Sequence, residues 1–332
     1  MQPRNVIPRE RSPVPVKARF FSALAFGVLF LLAIGTSADA AWTWTPQTGR
    51  WINPKRQPKE TAALQFQYGE EILAQGDTEK AIDEFRKVLR YFPESNYCDL
   101  AQYSIGRALE AEGEYEDAIE EYQKVIEDYP NTQLFGHVLE KQRAIADRFF
   151  DLGVQNEERF FLLRGSNFDK AIETYRKLIE NQPFTELSAE AQYRIGLCYF
   201  KLELYDEASA EFQKVIDFYP ASKWTAEAAF SGAECKFNQA LPSEYDKTAV
   251  DDAISKFRYF LRMYPDSTRT HEAHSKIAQL QETAAEHDFK IGMYYHHNMR
   301  YDSARVYFDS ILREYPETEW ARKARETLAK MP

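Results

Sequence analysis

Glycine is scarce in this chain, at 13 of 332 residues, against 20 tyrosines and 23 phenylalanines. A sandwich of short strands would need many more turn glycines, whereas packed helices suit few glycines and many aromatics. Cysteine is limited to Cys98, Cys198 and Cys235. An odd, widely spaced set gives neither a disulfide framework nor a zinc pattern. Each cysteine falls on a helical stretch among apolar neighbours, so buried free thiols are expected. There is no glycine-rich phosphate loop, no nucleophile elbow and no HExxH. His271 and His274 lie three apart on an expected helix and His296 adjoins His297; both pairs read as solvated helix positions, so no metal and no cofactor are expected. The acidic run 112–121, and Asp251 with Asp252, read as helix starts and exposed faces, where negative charge near an N-terminus is favourable. No acid–base pair stands out, so no enzyme is expected.

Positive charge is in deficit. The net charge is −10, and beyond residue 40 the chain carries 37 basic and 50 acidic residues. A surface of that sign repels nucleic acid and anionic lipid. Nucleic acid is therefore not an expected partner.

Long apolar runs are also lacking, with one exception near the start. A basic stretch ending at Arg19 precedes FFSALAFGVLFLLAI from Phe20 to Ile34. That run is short for a membrane span and fits the core of an export signal. Ala38 and Ala40 then form a small-residue cleavage site. Residues 1–40 read as a signal peptide, with the mature chain expected to begin at Ala41. No cysteine precedes Cys98, so no lipid-attachment site is read here.

Residues 41–60 form a separate extended segment. Pro46, Pro54 and Pro58 forbid a continuous helix. Trp42, Trp44 and Trp51 make it far more aromatic than a plain linker. Two readings stay open: a strap on the protein's own first repeat, or a docking segment for a partner.

Self-similarity governs residues 61–332. AIDEFRKVLRYFP begins at Ala81, and related segments begin at Ala118, Ala171, Ala208, Ala253 and Ala304. Each starts with alanine, carries an aromatic four residues on and closes with proline. Ala81, Ile82, Phe85, Val88, Leu89 and Phe92 share one face of a helix, and the proline ends it. Gly69, Gly106, Gly196 and Gly292 each lie twelve residues before a repeat alanine, where they would let a partner helix come close. Turns such as QGD, EGEYED and KLELYDE are expected between hairpins. The spacing from Ala81 to Ala118, and from Ala171 to Ala208, is 37 residues. About fifteen residues are added between Pro130 and Ala171, placed around 156–165, and about nine between Gly232 and Ala253, including Pro242. Residues 270–297 read as one long helix, and 319–330 as a polar helical cap.

This register resembles the tetratricopeptide pattern of small residue, alanine, aromatic and proline. The expected fold is all-α: a tetratricopeptide-repeat superhelix, or α-solenoid, of five to six helical hairpins. In such arrays the first helices line an inner groove. The groove positions are Phe66, Gln67 and Glu70 in the first unit, Tyr103, Ser104 and Arg107 in the second, and Tyr193, Arg194 and Leu197 in the fourth. A row of aromatics would take apolar side chains of an extended peptide, and Arg107 and Arg194 would pair with a carboxylate. The same aromatics also fit a role in packing between hairpins.

Over about residues 61–320 the array is similar to the BamD family, the tetratricopeptide subunit of the machinery that assembles outer-membrane β-barrels. FRYFLRMYPDS, then the long helix through HDFKIGMYYHHNMRYDSARVYFDSILREYPET, carry the likeness, together with the FPES and YPNT turns. The resemblance implies a periplasmic scaffold, peripherally associated with the outer membrane. It implies that N-terminal repeats receive unfolded outer-membrane proteins, and that C-terminal repeats hold other subunits, including a core protein with POTRA domains. BamD proteins usually bear an N-terminal lipid-bearing cysteine, which this sequence lacks. The Tol–Pal-associated periplasmic repeat proteins share the YPxS turns, which keeps a role in cell division or peptidoglycan synthesis as an alternative.

Overall fold

The computed structural model describes residues 43–45, 50–52, 57–155, 161–240 and 247–332. The export signal at 1–40, its cleavage site and Pro242 lie outside the described residues, as do 156–160 of the expected insertion. The chain divides into two compact units, one ending at Thr61 and the other running from Ala62 to Pro332.

In the first unit, β1 (Thr43–Thr45) pairs antiparallel with β2 (Arg50–Ile52). Trp44 stands directly opposite Trp51, and Thr43 opposite Ile52. Aromatic and β-branched residues favour such a pleated ribbon. The prolines forbade a helix, but nothing in the sequence reading anticipated strands.

Among the described residues of the second unit the regular elements are all helices. Six hairpins follow one another. The first two are α1 (Ala62–Ala74) with α2 (Thr78–Tyr91), and α3 (Cys98–Glu112) with α4 (Tyr115–Asp128). Next come α5 (Phe135–Gln155) with α6 (Phe161–Asn181), and α7 (Glu186–Lys201) with α8 (Tyr205–Phe218). The last two are α9 (Trp224–Ala240) with α10 (Lys247–Met263), and α11 (Thr270–His297) with α12 (Tyr301–Glu314). A final helix, α13 (Glu319–Leu328), packs on α11 and α12. The array is the expected tetratricopeptide α-solenoid.

The repeat alanines Ala81, Ala118, Ala171, Ala208, Ala253 and Ala304 are all fully buried. Four of the hairpins close on the expected glycine. A Cβ on Gly69, Gly106, Gly196 or Gly292 would lie 2.5–2.7 Å from a ring carbon of Phe85, Tyr122, Phe212 or Phe308. Only glycine accommodates a ring so close to the facing helix.

Turn chemistry explains the recurring proline. In FPES, Ser95 N–H donates to the Phe92 carbonyl at 2.9 Å, closing a turn with Pro93 at its second position. The Ser95 hydroxyl then accepts the Tyr97 N–H at 3.2 Å, at the start of the next helix. Thr132, Ser222 and Ser267 repeat both bonds. These proline turns join successive hairpins. QGD, EGEYED and KLELYDE instead join the two helices within a hairpin, a correction to the sequence reading. The reason is visible at Gly76 and Gly113, whose φ of 85° and 86° end α1 and α3 in the left-handed region.

The third hairpin departs from expectation. Both of its helices run to 21 residues. Its close approach is between Gly153 and Phe168, seven residues before the repeat aromatic Tyr175. In the fifth hairpin Ala233, thirteen residues after Pro220 as Gly196 is after Pro183, occupies the glycine position. Gly232 faces backwards, with Phe212 Cβ 4.0 Å from where its own Cβ would stand.

Candidate interaction surface

The first helices present one aromatic three residues before each close-approach position: Phe66, Tyr103, Phe150, Tyr193, Phe230 and Phe289. Each packs on the aromatic of its own hairpin's second helix, with ring centroids 5.4–5.6 Å apart. A large residue four positions after the next proline covers it from the following repeat. Tyr97 lies 5.6 Å from Phe66, Trp224 stacks 5.0 Å from Tyr193, and Trp320 lies 5.2 Å from Phe289. In the fifth repeat Arg269 takes that place, its guanidinium 3.8 Å over the Phe230 ring. The aromatic row therefore forms the joints between hairpins.

Tyr193 is buried in this joint, and its hydroxyl lies 3.3 Å from Ser231 Oγ. Burial raises its pKa above the usual phenol value. Phe66 and Tyr103 remain half-buried. Ser104 is buried and donates to Glu70 Oε1 at 2.8 Å, while Arg107 Nη1 reaches both Glu70 oxygens at 3.3 Å. Three of the nine groove residues thus tie the first repeat to the second. Gln67 is exposed, and it donates to Glu71 at 3.1 Å. Arg194 is half-buried, with its guanidinium 5.6 Å over Phe150 and its Nε buried without a partner. Leu197 packs at the edge of the fourth hairpin's core. Of the nine, Gln67 is exposed, Phe66, Glu70, Tyr103, Arg107, Arg194 and Leu197 keep accessible parts, and Ser104 and Tyr193 are covered.

Sequence reasoning missed a polar ladder inside the hairpins. Gln65, Gln102 and Gln192, each four residues before a close-approach glycine, are buried and donate to Glu84, Glu121 and Glu211 on the second helix. Lys87, Lys124 and Lys214, three residues on, then pair with those glutamates at 2.8–2.9 Å. The signal was present: glutamate precedes the repeat aromatic and lysine follows two residues after it. Glu84 and Glu211 are buried and Glu121 half-buried, and each keeps both an amide donor and a cation, as burial of charge requires. In the third hairpin Gln142 of α5 and Asn181 of α6 instead join Gln123 of α4, in an amide cluster with bonds of 2.8–3.1 Å that ties the second hairpin to the third.

Toward the C-terminus, Arg269 joins Glu227, Glu234 and Glu272 at 2.8–3.6 Å. Burial pushes Glu234 above the usual carboxylate range, against the pull of Arg269 and Lys276. An open cleft of about 760 Å³ lies between α10, α11 and the end of α12, lined among others by Lys256, Arg258, Tyr259, Arg262 and Glu314. Among the described residues no cluster of three or more histidine, cysteine or acidic side chains has metal-binding geometry. No helix among them is long and apolar enough to cross a membrane.

Comparison with known proteins bears on this geometry. The family model YfiO, described as an outer membrane lipoprotein, matches residues 157–331, more than half of the chain. The chain belongs to the YfiO family. This is the BamD family of the sequence reading, and the matched region contains α11, the long helix. A tetratricopeptide-repeat model matches residues 69–131. Family and repeats together make the chain a BamD-like protein-interaction scaffold. No curated protein matches it. Among solved structures, a thermophilic tetratricopeptide-repeat protein of Thermus thermophilus is 15% identical, with 66% of this chain and 98% of that one covered and a TM-score of 0.33. The C-terminal part of a repeat protein from Cytophaga hutchinsonii is 16% identical, covering 80% and 87%, with a TM-score of 0.36. PilF of Pseudomonas aeruginosa is 15% identical, covering 80% and 97%, with a TM-score of 0.29.

Proposed function

We propose that this YfiO-family chain is a non-catalytic periplasmic scaffold of outer-membrane β-barrel assembly. The family match over residues 157–331, which includes the long α11, carries the reading. In this account the N-terminal repeats take unfolded outer-membrane proteins along the accessible parts of Phe66, Gln67, Glu70, Tyr103, Arg107, Arg194 and Leu197. Ser104 and Tyr193, being buried, shape that surface from behind. The cleft of α10–α12 receives a segment of the assembly core, a protein with POTRA domains. Lys256, Arg258 and Arg262 share its lining with Asp251, Asp252 and Glu314 beside an exposed Tyr259, which suits a segment carrying charges of both signs and an apolar side chain. The signal at residues 1–40 delivers the chain to the periplasm, where it associates peripherally with the outer membrane.

Affinity purification from solubilised envelopes tests the partner, with recovery of a POTRA-containing barrel protein as the expected result. Recovery of Tol–Pal components or cell-wall synthases instead would overturn the assembly reading. The binding surface has its own test. Tyr103→Ala with Arg194→Glu should weaken binding of unfolded barrel peptides while helicity stays unchanged; unaltered peptide affinity would remove these residues from the surface.

A further inference from the structure

Three of the five tryptophans lie within residues 42–51; the other two, Trp224 and Trp320, are packed on Tyr193 and Phe289 in the array. Trp44 stands directly opposite Trp51 in the β1–β2 ribbon. Residues directly opposite in an antiparallel pair share one face, so positions 44 and 51 belong to the same side of the ribbon. Trp44 is 48% exposed. Strands of three residues make too small a ribbon to bury an apolar face of their own.

Charge divides the chain at the same place. Residues 41–59 hold Arg50, Lys55, Arg56 and Lys59 and no acidic residue. Residues 62–332 hold 33 basic and 49 acidic residues. An anionic surface repels the array and attracts the segment. Indoles favour the level of lipid headgroups, apolar on one side and wet on the other. Each nearby cation adds about 1 kcal/mol on an anionic leaflet.

We propose that the Trp44–Trp51 face is an interfacial anchor that holds the protein on a bilayer containing anionic phospholipid. The anchor is independent of the assembly reading, which needs a place at the membrane but not this device. The anchor is peripheral: the indoles reach the headgroup region and the cations meet lipid phosphates.

The test uses the full exported chain with vesicles of phosphatidylethanolamine and phosphatidylglycerol at 3:1, and with pure phosphatidylcholine. Co-sedimentation with the anionic vesicles, weakening with added salt, is expected. Trp44→Ala with Trp51→Ala should lower partitioning by about tenfold or more, and Trp44→Tyr with Trp51→Tyr should restore part of it. The array, with Trp224 and Trp320 intact, reports folding through its own helicity. Equal partitioning of the alanine pair and the unaltered chain would overturn the proposal. So would tryptophans shielded from a soluble quencher without lipid, together with no vesicle binding, which would make the segment a strap on its own chain. A concentration-dependent dimer abolished by the same pair, again without vesicle binding, would overturn it in favour of self-association.

Discussion

Gly196 and Gly232 flank the same side chain, Phe212, and replacing each with alanine should move stability in opposite directions. A Cβ at Gly196 would stand 2.5 Å from Phe212 Cε1, 2.6 Å from Cδ1 and 3.0 Å from Cζ. Ordinary carbon–carbon contact is about 3.5–4.0 Å, so the ring must move by roughly 1 Å. It has nowhere to go: Phe212 is fully buried and Tyr193 lies 5.4 Å from it, centroid to centroid. Overpacking of this kind costs about 1–3 kcal/mol, and the helix gains back up to about 1 kcal/mol by exchanging glycine for alanine. Gly196→Ala should therefore lose about 1–2 kcal/mol. At Gly232 the nearest atom to a new Cβ is Phe212 Cβ at 4.0 Å, an ordinary contact. Gly232→Ala should gain about 0.5–1 kcal/mol from backbone entropy alone. Repeat arrays lose stability locally, because each unit contacts only its neighbours. Amide hydrogen exchange in α7 and α8 is thus the appropriate assay, with protection expected to fall about 5–30-fold for Gly196→Ala. Phe212→Leu should relieve part of that loss in the double variant. Unchanged or slower exchange in Gly196→Ala would refute the close-packing argument.

Four further outcomes follow from local geometry. Phe184, after Pro183, holds φ at 60° with its ring 75% exposed; Phe184→Gly should raise stability by up to about 1 kcal/mol by removing the left-handed strain, as measured by urea unfolding. Burial raises the thiol pKa of Cys98 and Cys198, and pushes Cys235 up to about 12, so a thiol reagent at pH 8 should find all three inert in the native protein and reactive in denaturant. The hydrogen bond from Lys247 Nζ at 2.8 Å holds Glu314 below the usual carboxylate range. A depressed folded-state value contributes stability above the unfolded value of about 4.3 and loses it as pH falls through the folded one, so Glu314→Gln should cost up to about 1 kcal/mol at pH 7 and progressively less as pH falls through the folded-state value. A double-mutant cycle of Glu70→Ala and Ser104→Ala should show a coupling of about 0.5–1 kcal/mol, seen as faster exchange in α1 and α3.

The sequence made the second helices and their prolines legible because one residue type does one job there. Alanine at the start permits contact, the aromatic fills the space before glycine, and proline closes the turn. It made the long α11 legible for the same reason: Ala273, Ile277, Leu280, Ala284, Asp288 and Gly292 run along one buried stripe. The aromatics of the first helices were less legible, since an aromatic beside a groove and one inside a joint have the same spacing. What decides between them is the residue four positions after the following proline. Trp224 covers Tyr193 fully, whereas Phe66 keeps an accessible edge beside Tyr97. That relation joins positions about thirty residues apart, so no local window displays it. The Gln65–Glu84 ladder was hidden differently, because buried glutamine and glutamate look like solvent-facing helix residues until the facing helix is in place.

The irregular hairpins obey the rule that shapes the regular ones. Phe168 and Tyr175 are seven residues apart on α6, and Ala146 and Gly153 are seven apart on α5. Seven residues nearly complete two helical turns, drifting by only about 20°, so both aromatics stay on the face that meets α5. In the antiparallel pairing that sets Gly153 against Phe168, Ala146 comes opposite Tyr175, whose hydroxyl donates to Asp147 Oδ1 at 2.5 Å. The hairpin thus gains a second small–aromatic contact instead of a bulge. Gly292 likewise lies 27 residues after Pro265, where Gly106 lies 13 after Pro93: fourteen extra residues, or two heptads. Two heptads turn the helix face by only about 40°, which keeps the buried stripe of α11 in place. Length in this array is therefore changed in steps that leave the helix face in place. The fifth and sixth hairpins remain joined through one helix because its first half packs with α10 and its second with α12.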